Sequence, residues 1–136
     1  MHANHHPALS TSDDVIALAD GLSQLADKLH AVLRRLTAQP TGDTSIAYAL
    51  LTEEYALRAR TNILRNDAPR HTIDGLEFSQ ASLINALSQI EANLHEADTL
   101  EVVRSIVSDL ITLASSINPG KTRVVNFLAK ELGVQG

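Results

Sequence analysis

Apolar residues recur along this chain at alternating steps of three and four, the spacing that places side chains on one face of an α-helix. The clearest run consists of Val15, Leu18, Leu22, Leu25, Leu29, Val32 and Leu36. Such a stripe has to be buried against other helices. Further helical runs follow it, and polar or proline-containing segments separate them. The pattern therefore predicts an all-α fold, an up-down helical bundle of four main helices plus a short C-terminal fifth helix.

The first two helices have recognisable start signals. Ser12 is expected to cap the first helix, which the segment from Gln39 to Gly42 ends. Asp43 or Thr44 is expected to cap a second helix over residues 45–65.

The later helices follow from a capping box and from helix breakers. The segment from Asp74 to Glu77 has the capping-box pattern and is expected to open the third helix. After a tight turn, Asp98 is expected to cap a fourth helix over residues 100–117. A fifth helix over residues 122–132 is expected to end at Gly133, since glycine is favoured just past a helix C-terminus.

The N-terminal residues lack any helical periodicity. We expect residues 1–11 to form a flexible arm and residues 12–136 to form a single helical-bundle domain. Histidines cluster on this arm, where a transition metal would bind only adventitiously. The histidines concerned are His2, His5 and His6.

Two pairs of potential metal ligands have helical spacing, Asp27 with His30 and Glu91 with His95. Di-iron bundles use such pairs where they face the core. Asp27 and His30 lie outside the apolar stripe of the first helix, and His95 lies outside that of the third. A core metal site would lack inward ligands, so the sequence predicts no metal and no other cofactor.

The second helix has two apolar arcs instead of one, with Glu54 and Thr61 among the polar positions between them. One arc is expected to complete the bundle. The other either contacts a further helix of the same chain or forms an intermolecular interface, where tyrosine is enriched. The first arc holds Ile46, Leu50, Leu57 and Leu64, and the second holds the candidate interface residues Tyr48, Leu51, Tyr55 and Ala59, followed by Ile63.

A short stretch after the second helix, Arg65-Asn66-Asp67-Ala68-Pro69-Arg70-His71, resembles the motif of HEPN ribonucleases, in which an arginine and a polar residue precede a histidine. In that family, also built of helical bundles, the arginine and histidine line a site that cleaves RNA, generally across a dimer. The resemblance implies catalytic roles for Arg65, Asn66 and His71. Pro69 departs from the pattern, because proline would interrupt the helix that presents the motif. The alternative is a basic loop at a helix C-terminus, where positive charge suits the helix dipole.

The segment from Pro119 to Thr122 is similar to the end of a phosphate-binding P-loop. Ser115 stands where that motif requires another glycine, and a helix precedes it instead of a strand, so nucleotide hydrolysis is excluded. A weaker possibility is an anion site formed by Lys121, Arg123 and the first N–H groups of the fifth helix. A simple capped turn is the alternative.

Composition narrows the function classes. The chain has 136 residues, of which 44% are hydrophobic, enough for one globular core. Aromatic residues make up 3% and the net charge is −5, and both values disfavour nucleic-acid binding. The absence of cysteine excludes disulfides, thiolate metal sites and cysteine nucleophiles. Membrane spans and a signal peptide are not apparent, so we expect a cytoplasmic protein with no membrane partner.

The distribution of charge favours a role in association. Residues 56–72 are predominantly basic and residues 73–118 predominantly acidic, a separation that orients partners or pairs within one molecule. Catalytic motifs are otherwise lacking, and we expect a non-enzymatic protein–protein interaction or regulatory module that forms a homodimer. One alternative is an RNA-cleaving or RNA-binding bundle of the HEPN type. Another is a small chaperone-like adaptor that binds the amphipathic helix of a partner protein beside the second helix.

Overall fold

The computed structural model describes residues 6–38 and 44–136, which form five α-helices around one hydrophobic core. The prediction of an all-α helical bundle with four main helices and a short fifth one is confirmed. A 3-10 turn, Ala68–His71, lies in the connection between the second and third helices. The helices are α1 (Ser12–Thr37), α2 (Thr44–Asn66), α3 (Gln80–Glu96), α4 (Leu100–Ser115) and α5 (Thr122–Glu131).

The central helix is α1, which packs along both α2 and α3. Every residue of the predicted stripe from Val15 to Leu36 is buried, as expected. Ala19 and Leu33 are buried beside it, because a helix with two neighbours needs a wider apolar face. At the contact with α3, a Cβ added to Gly21 would lie 2.7 Å from Cδ1 of Leu87. Glycine at this position therefore lets the two helices approach closely.

On its other side, α2 packs along α4, while α3 and α4 make fewer contacts with each other. The buried residues of α2 follow steps of four and three along one face. We call this face the inner seam, and it consists of Leu50, Glu54, Leu57, Thr61 and Leu64. Thr61 satisfies its hydroxyl by donating to the carbonyl of Leu57 at 2.8 Å, but Glu54 needs partners from other positions.

The N-caps of α1 and α4 lie one residue away from the predicted positions. Thr11 caps α1 in place of Ser12, its hydroxyl accepting from the Asp14 N–H at 3.2 Å. Thr99 caps α4 in place of Asp98, which the sequence favoured. Both threonines have the extended backbone that an N-cap requires, whereas Ser12 is already the first helical residue. For α2, Thr44 is likewise inside the helix, and the predicted cap Asp43 lies outside the described residues.

The C-terminus of α5 forms as predicted. Gly133 adopts φ +89°, a left-handed conformation that glycine accepts without steric conflict. Its N–H donates to the carbonyl of Lys130 and the N–H of Val134 donates to that of Ala129, both at 3.0 Å. These are the two bonds of a Schellman motif, which satisfies the last carbonyls of the helix.

The start of α3 differs from the predicted one. The segment from Asp74 to Glu77 does not open the helix, which begins at Gln80 with Ser79 as its N-cap. Gly75 adopts φ +83°, which interrupts a helix, and Leu76 is buried in the irregular segment that follows.

That segment packs against the N-terminal residues, so the predicted flexible arm is not seen for residues 6–11. The Ala8 N–H donates to the carbonyl of Phe78 at 3.0 Å, and the Ile73 N–H donates to that of Leu9 at 2.8 Å. Ala8 and Leu9 are both fully buried. Residues 6–11 therefore belong to the folded domain, while residues 1–5 lie outside the described residues.

The C-terminus of α3 is closed by a side chain from another helix. Arg35 of α1 donates from Nη2 to the carbonyl of His95 at 3.1 Å and to that of Ala97 at 2.8 Å. These carbonyls belong to the groups that a helix end leaves without intrahelical partners. A cation is also favoured there by the helix dipole.

Candidate interaction surface

The side of α2 opposite to its inner seam is exposed, uncharged and largely apolar. Tyr48 is 76% exposed and Tyr55 is 81% exposed, while Leu51 between them is 44% exposed. Ala59 is exposed on the same side, and Ile63 beyond it is 49% exposed. We call Tyr48, Leu51, Tyr55 and Ala59 the outer face. Of the two alternatives that the sequence left open, contact with a further helix of the same chain is not found among residues 6–38 and 44–136, and an intermolecular interface stays a prediction.

The charged residues of α2 do not lie where an amphipathic helix normally has them, which is on the exposed side. Every residue of α2 is described, and none of its charged residues is among the exposed ones. Glu54 is buried, and the other charged residues are half-buried. These others are Glu53, Arg58, Arg60 and Arg65.

The charges on the α1 side of α2 form a network between the two helices. Oε1 of Glu54 lies 3.0 Å from Nδ1 of His30, and Nε of Arg58 donates to Oε2 of Glu54 at 3.0 Å. Arg58 also pairs with Asp27 of α1 at 3.0 Å. Burial by itself lowers the pKa of Arg58, but its hydrogen bonds to Glu54 and Asp27 outweigh burial and raise the pKa above its ordinary value.

On the α4 side, Arg60 bonds to the end of the neighbouring helix. Its Nε donates to the carbonyl of Ala114 at 2.9 Å, and its Nη2 donates to that of Ile117 at 2.8 Å and to Oδ1 of Asn118 at 3.3 Å. Burial lowers the pKa of Arg60 below its ordinary value. Arg60 therefore satisfies carbonyls at the C-terminus of α4, as Arg35 does at the C-terminus of α3.

The residues of the ribonuclease-like motif bond to different elements of the bundle. Arg65 donates to Asp20 of α1 at 2.8 Å, and Asn66 is exposed at the end of α2. His71 is buried in the 3-10 turn, with Nδ1 2.9 Å from the carbonyl of Ile117. The proposed catalytic arginine and histidine thus take part in two separate contacts between elements.

Lys121 and Arg123 are exposed at the start of α5, where the sequence placed a candidate anion site. Lys121 occupies the N-cap position without a side-chain capping bond. The hydroxyl of Thr122 donates at 3.1 Å to the carbonyl of Asp74, which joins the start of α5 to the segment before α3. Anion binding by this pair stays a prediction.

Three of the four candidate metal ligands are engaged in contacts between helices. Asp27 and His30 bond to the network around Glu54, and Nδ1 of His95 lies 3.3 Å from Nζ of Lys28. Over the described residues, no three His, Cys, Asp or Glu side chains are grouped so that they could hold a metal ion. Within that same part of the chain, no helix combines the length and apolar character that crossing a membrane requires.

Comparison with known proteins does not assign the chain to a family. No protein-family model, curated protein or solved structure matches it. Its function has to be inferred from the surfaces and contacts described above.

Two residues of the inner seam, Glu54 and Thr61, were not expected to be buried. The two arcs of α2 were defined from apolar residues only, so these two polar residues were assigned to the positions between the arcs. The signal that identifies them is spacing, because positions 50, 54, 57, 61 and 64 continue the steps of four and three seen in α1. Burial of Glu54 requires a partner on the facing helix, and His30 is placed to be one.

Proposed function

We propose that this protein is a non-enzymatic protein–protein interaction or regulatory module that forms a homodimer through the outer face of α2. The observation that supports this proposal is the exposed side of α2, which carries large apolar residues and no charge, while the charged residues of the helix are buried or half-buried. A helix that places its tyrosines in water and its glutamate in the core gains stability when the outer face is covered.

The exposed tyrosine surface is large enough to contribute substantially to an interface. A buried tyrosine covers about 200 Å². With exposures of 76% and 81%, Tyr48 and Tyr55 together offer about 300 Å² per copy. A stable interface buries about 800 Å² per partner, so the two tyrosines supply more than a third of it. Leu51 and Ala59 extend the contact along the same face.

A second copy of the chain is a suitable occupant because the outer face is uncharged. In a two-fold interface each surface meets itself, so a charged patch would oppose like charges. The outer face of each copy would meet only uncharged side chains of the other copy. A tyrosine also has a polar hydroxyl, which can bond to water or to a polar group of the partner when the ring is buried.

The test is the molar mass in solution, measured by size exclusion with light scattering over protein concentrations of about 1 to 100 μM. We expect a dimer at the upper end of this range. The double variant Tyr48→Ser/Tyr55→Ser removes four tyrosines from each dimer, and at about 1 kcal/mol each this raises Kd roughly a thousandfold. The double variant is therefore expected to be monomeric throughout, with unchanged helix content by circular dichroism.

Phe127→Ser is the matched control, since Phe127 is an aromatic residue on α5 with 63% exposure. We expect this variant to remain dimeric. A dimer that persists in the tyrosine variant would exclude the outer face as the contact. A wild-type protein that is monomeric at every concentration would overturn the proposal and make an amphipathic helix of another protein the next candidate partner.

A further inference from the structure

We infer that the two copies pair through α2 in antiparallel orientation, with Tyr55 on the two-fold axis. This inference rests on the proposed function and adds the geometry of the dimer. It follows from the spacing of the outer face, from the sizes of its side chains and from the positions of the neighbouring charges.

The spacing of the outer face is symmetric about Tyr55. Leu51 and Ala59 lie four positions before and after it, and Tyr48 and Asn62 lie seven positions before and after it. Each of these residues is exposed. When two identical helices pair in antiparallel orientation about a two-fold axis, a residue at a given distance before the axis meets the residue at the same distance after it. All five positions of α2 therefore face a position on the other copy at once.

The side-chain sizes are complementary in this register. Leu51 of one copy meets the small Ala59 of the other, and Tyr48 meets the smaller Asn62. On both sides of the axis, where Tyr55 meets Tyr55, large residues thus lie opposite small ones, which lets the two helices pack at an even distance at both ends. The Tyr48 hydroxyl also comes to the Asn62 amide, which can donate a hydrogen bond to it or accept one from it.

A parallel pairing would be uneven along the same face. It would set Tyr48 against Tyr48 and Leu51 against Leu51 at one end, and Ala59 against Ala59 at the other. The helices would be held apart at the tyrosine end and leave a gap at the alanine end, which loses packing contacts. Parallel helix dipoles are also less favourable than antiparallel ones.

The charges beside the outer face do not oppose the antiparallel arrangement. Arg58 bonds to Glu54 and Asp27 on the α1 side, and Arg60 bonds to the end of α4 on the other side. These contacts turn the guanidinium groups away from the outer face. No like charges are forced together when two outer faces meet.

Cysteine cross-linking tests this orientation, and the chain has no cysteine of its own. Leu51→Cys and Ala59→Cys are made separately, so that both tyrosines are retained, and each is oxidised alone and after mixing with subunit exchange. In the antiparallel dimer, position 51 faces position 59 of the other copy, and the mixture is expected to give a covalent dimer. Each variant alone places its cysteines about 12 Å apart along the axis, too far for a disulfide.

Ser108→Cys is the negative control, because Ser108 is exposed on α4 and lies on a different helix from the outer face. Covalent dimers in each single variant, with none specific to the mixture, would show a parallel pairing, which overturns the inference and leaves the proposed function intact. A non-covalent dimer that gives no cross-link at 51 or 59 would overturn both the orientation and the outer face as the contact. A monomer by light scattering would overturn the proposed function itself, and with it the inference.

Discussion

Replacing Arg60 by alanine is expected to lower the free energy of unfolding by about 2 kcal/mol. The side chain makes its contacts within one molecule and lies beside the outer face of α2, not on it. Its effect on stability therefore tests the structure of the bundle separately from the dimer.

The magnitude follows from the bonds that are lost and from those that replace them. Arg60 donates to two helix-end carbonyls, Ala114 at 2.9 Å and Ile117 at 2.8 Å. A hydrogen bond from a charged group contributes about 1.5–3 kcal/mol when its partner is left unsatisfied. Neither carbonyl is left without a donor in the variant. The Ile117 carbonyl keeps its contact with His71 at 2.9 Å, and the Ala114 carbonyl keeps a long bond of 3.4 Å from the Ile117 N–H. The loss is therefore nearer to that of one such bond than of two.

The assay is urea unfolding followed by circular dichroism, with all variants at the same protein concentration so that any dimerisation contributes equally. Arg70→Ala is the matched control, because its side chain is 83% exposed and lies 3.6 Å from Asp67. We expect the control to change stability by less than about 0.5 kcal/mol. Arg60→Lys is expected to fall between the two, since lysine keeps the charge but not the forked geometry.

The reasoning is refuted if Arg60→Ala unfolds at the same urea concentration as Arg70→Ala with an unchanged slope. That result would mean that the bonds from Arg60 do not stabilise the end of α4. His71→Ala in the Arg60→Ala background provides the complementary test. The decrease in stability caused by His71→Ala should be larger in this background than in the wild-type protein, because the Ile117 carbonyl then loses both side-chain donors.

Two further variants test the parts of the fold that the sequence did not reveal, both by the same urea titration. Leu9→Ala is expected to destabilise the protein by about 3 kcal/mol, because Leu9 is fully buried, whereas a leucine on a flexible arm would have no measurable effect. Glu54→Ala is expected to cost about 2 kcal/mol, since it empties a buried position and removes one of the two carboxylates that accept from Arg58. Asp27→Ala, at the 70% exposed end of the same network, should stay within about 0.5 kcal/mol of wild type, and equal losses for the two acids would contradict this account.

The helices could be predicted well because their positions depend on periodicity, which one sequence contains. The stripe of α1 and both arcs of α2 were found from spacing alone. The start of α3 could not be found in this way, because residues 73–80 and residues 6–9 hold each other through backbone bonds and through Gln80, whose Oε1 accepts from the Leu9 N–H. Backbone pairing between two irregular segments leaves no pattern in the side chains.

The sequence revealed the apolar outer face of the candidate site but not the buried position of Glu54 behind it. The outer face of α2 could be found because apolar residues on both sides of a helix are visible in a projection. The inward position of Glu54 could not, since a buried charge is acceptable only when a partner such as His30 stands on the facing helix. That pairing depends on how α1 and α2 are aligned, and no single helix contains this information.

The arginines that bond to helix ends bear on how these helices are aligned along their length. An aliphatic seam repeats, so sliding one helix along another by seven residues, about 10 Å, sets similar side chains against each other again. A helix has only one C-terminus, however, and its free carbonyls exist at one axial position. A slip of one turn, about 5.4 Å, would carry the end of α4 out of the reach of Arg60, and the end of α3 out of the reach of Arg35. The core has few aromatic residues to fix the alignment of its helices. The two arginines therefore favour one axial alignment of α2 with α4 and of α1 with α3 over the alternatives.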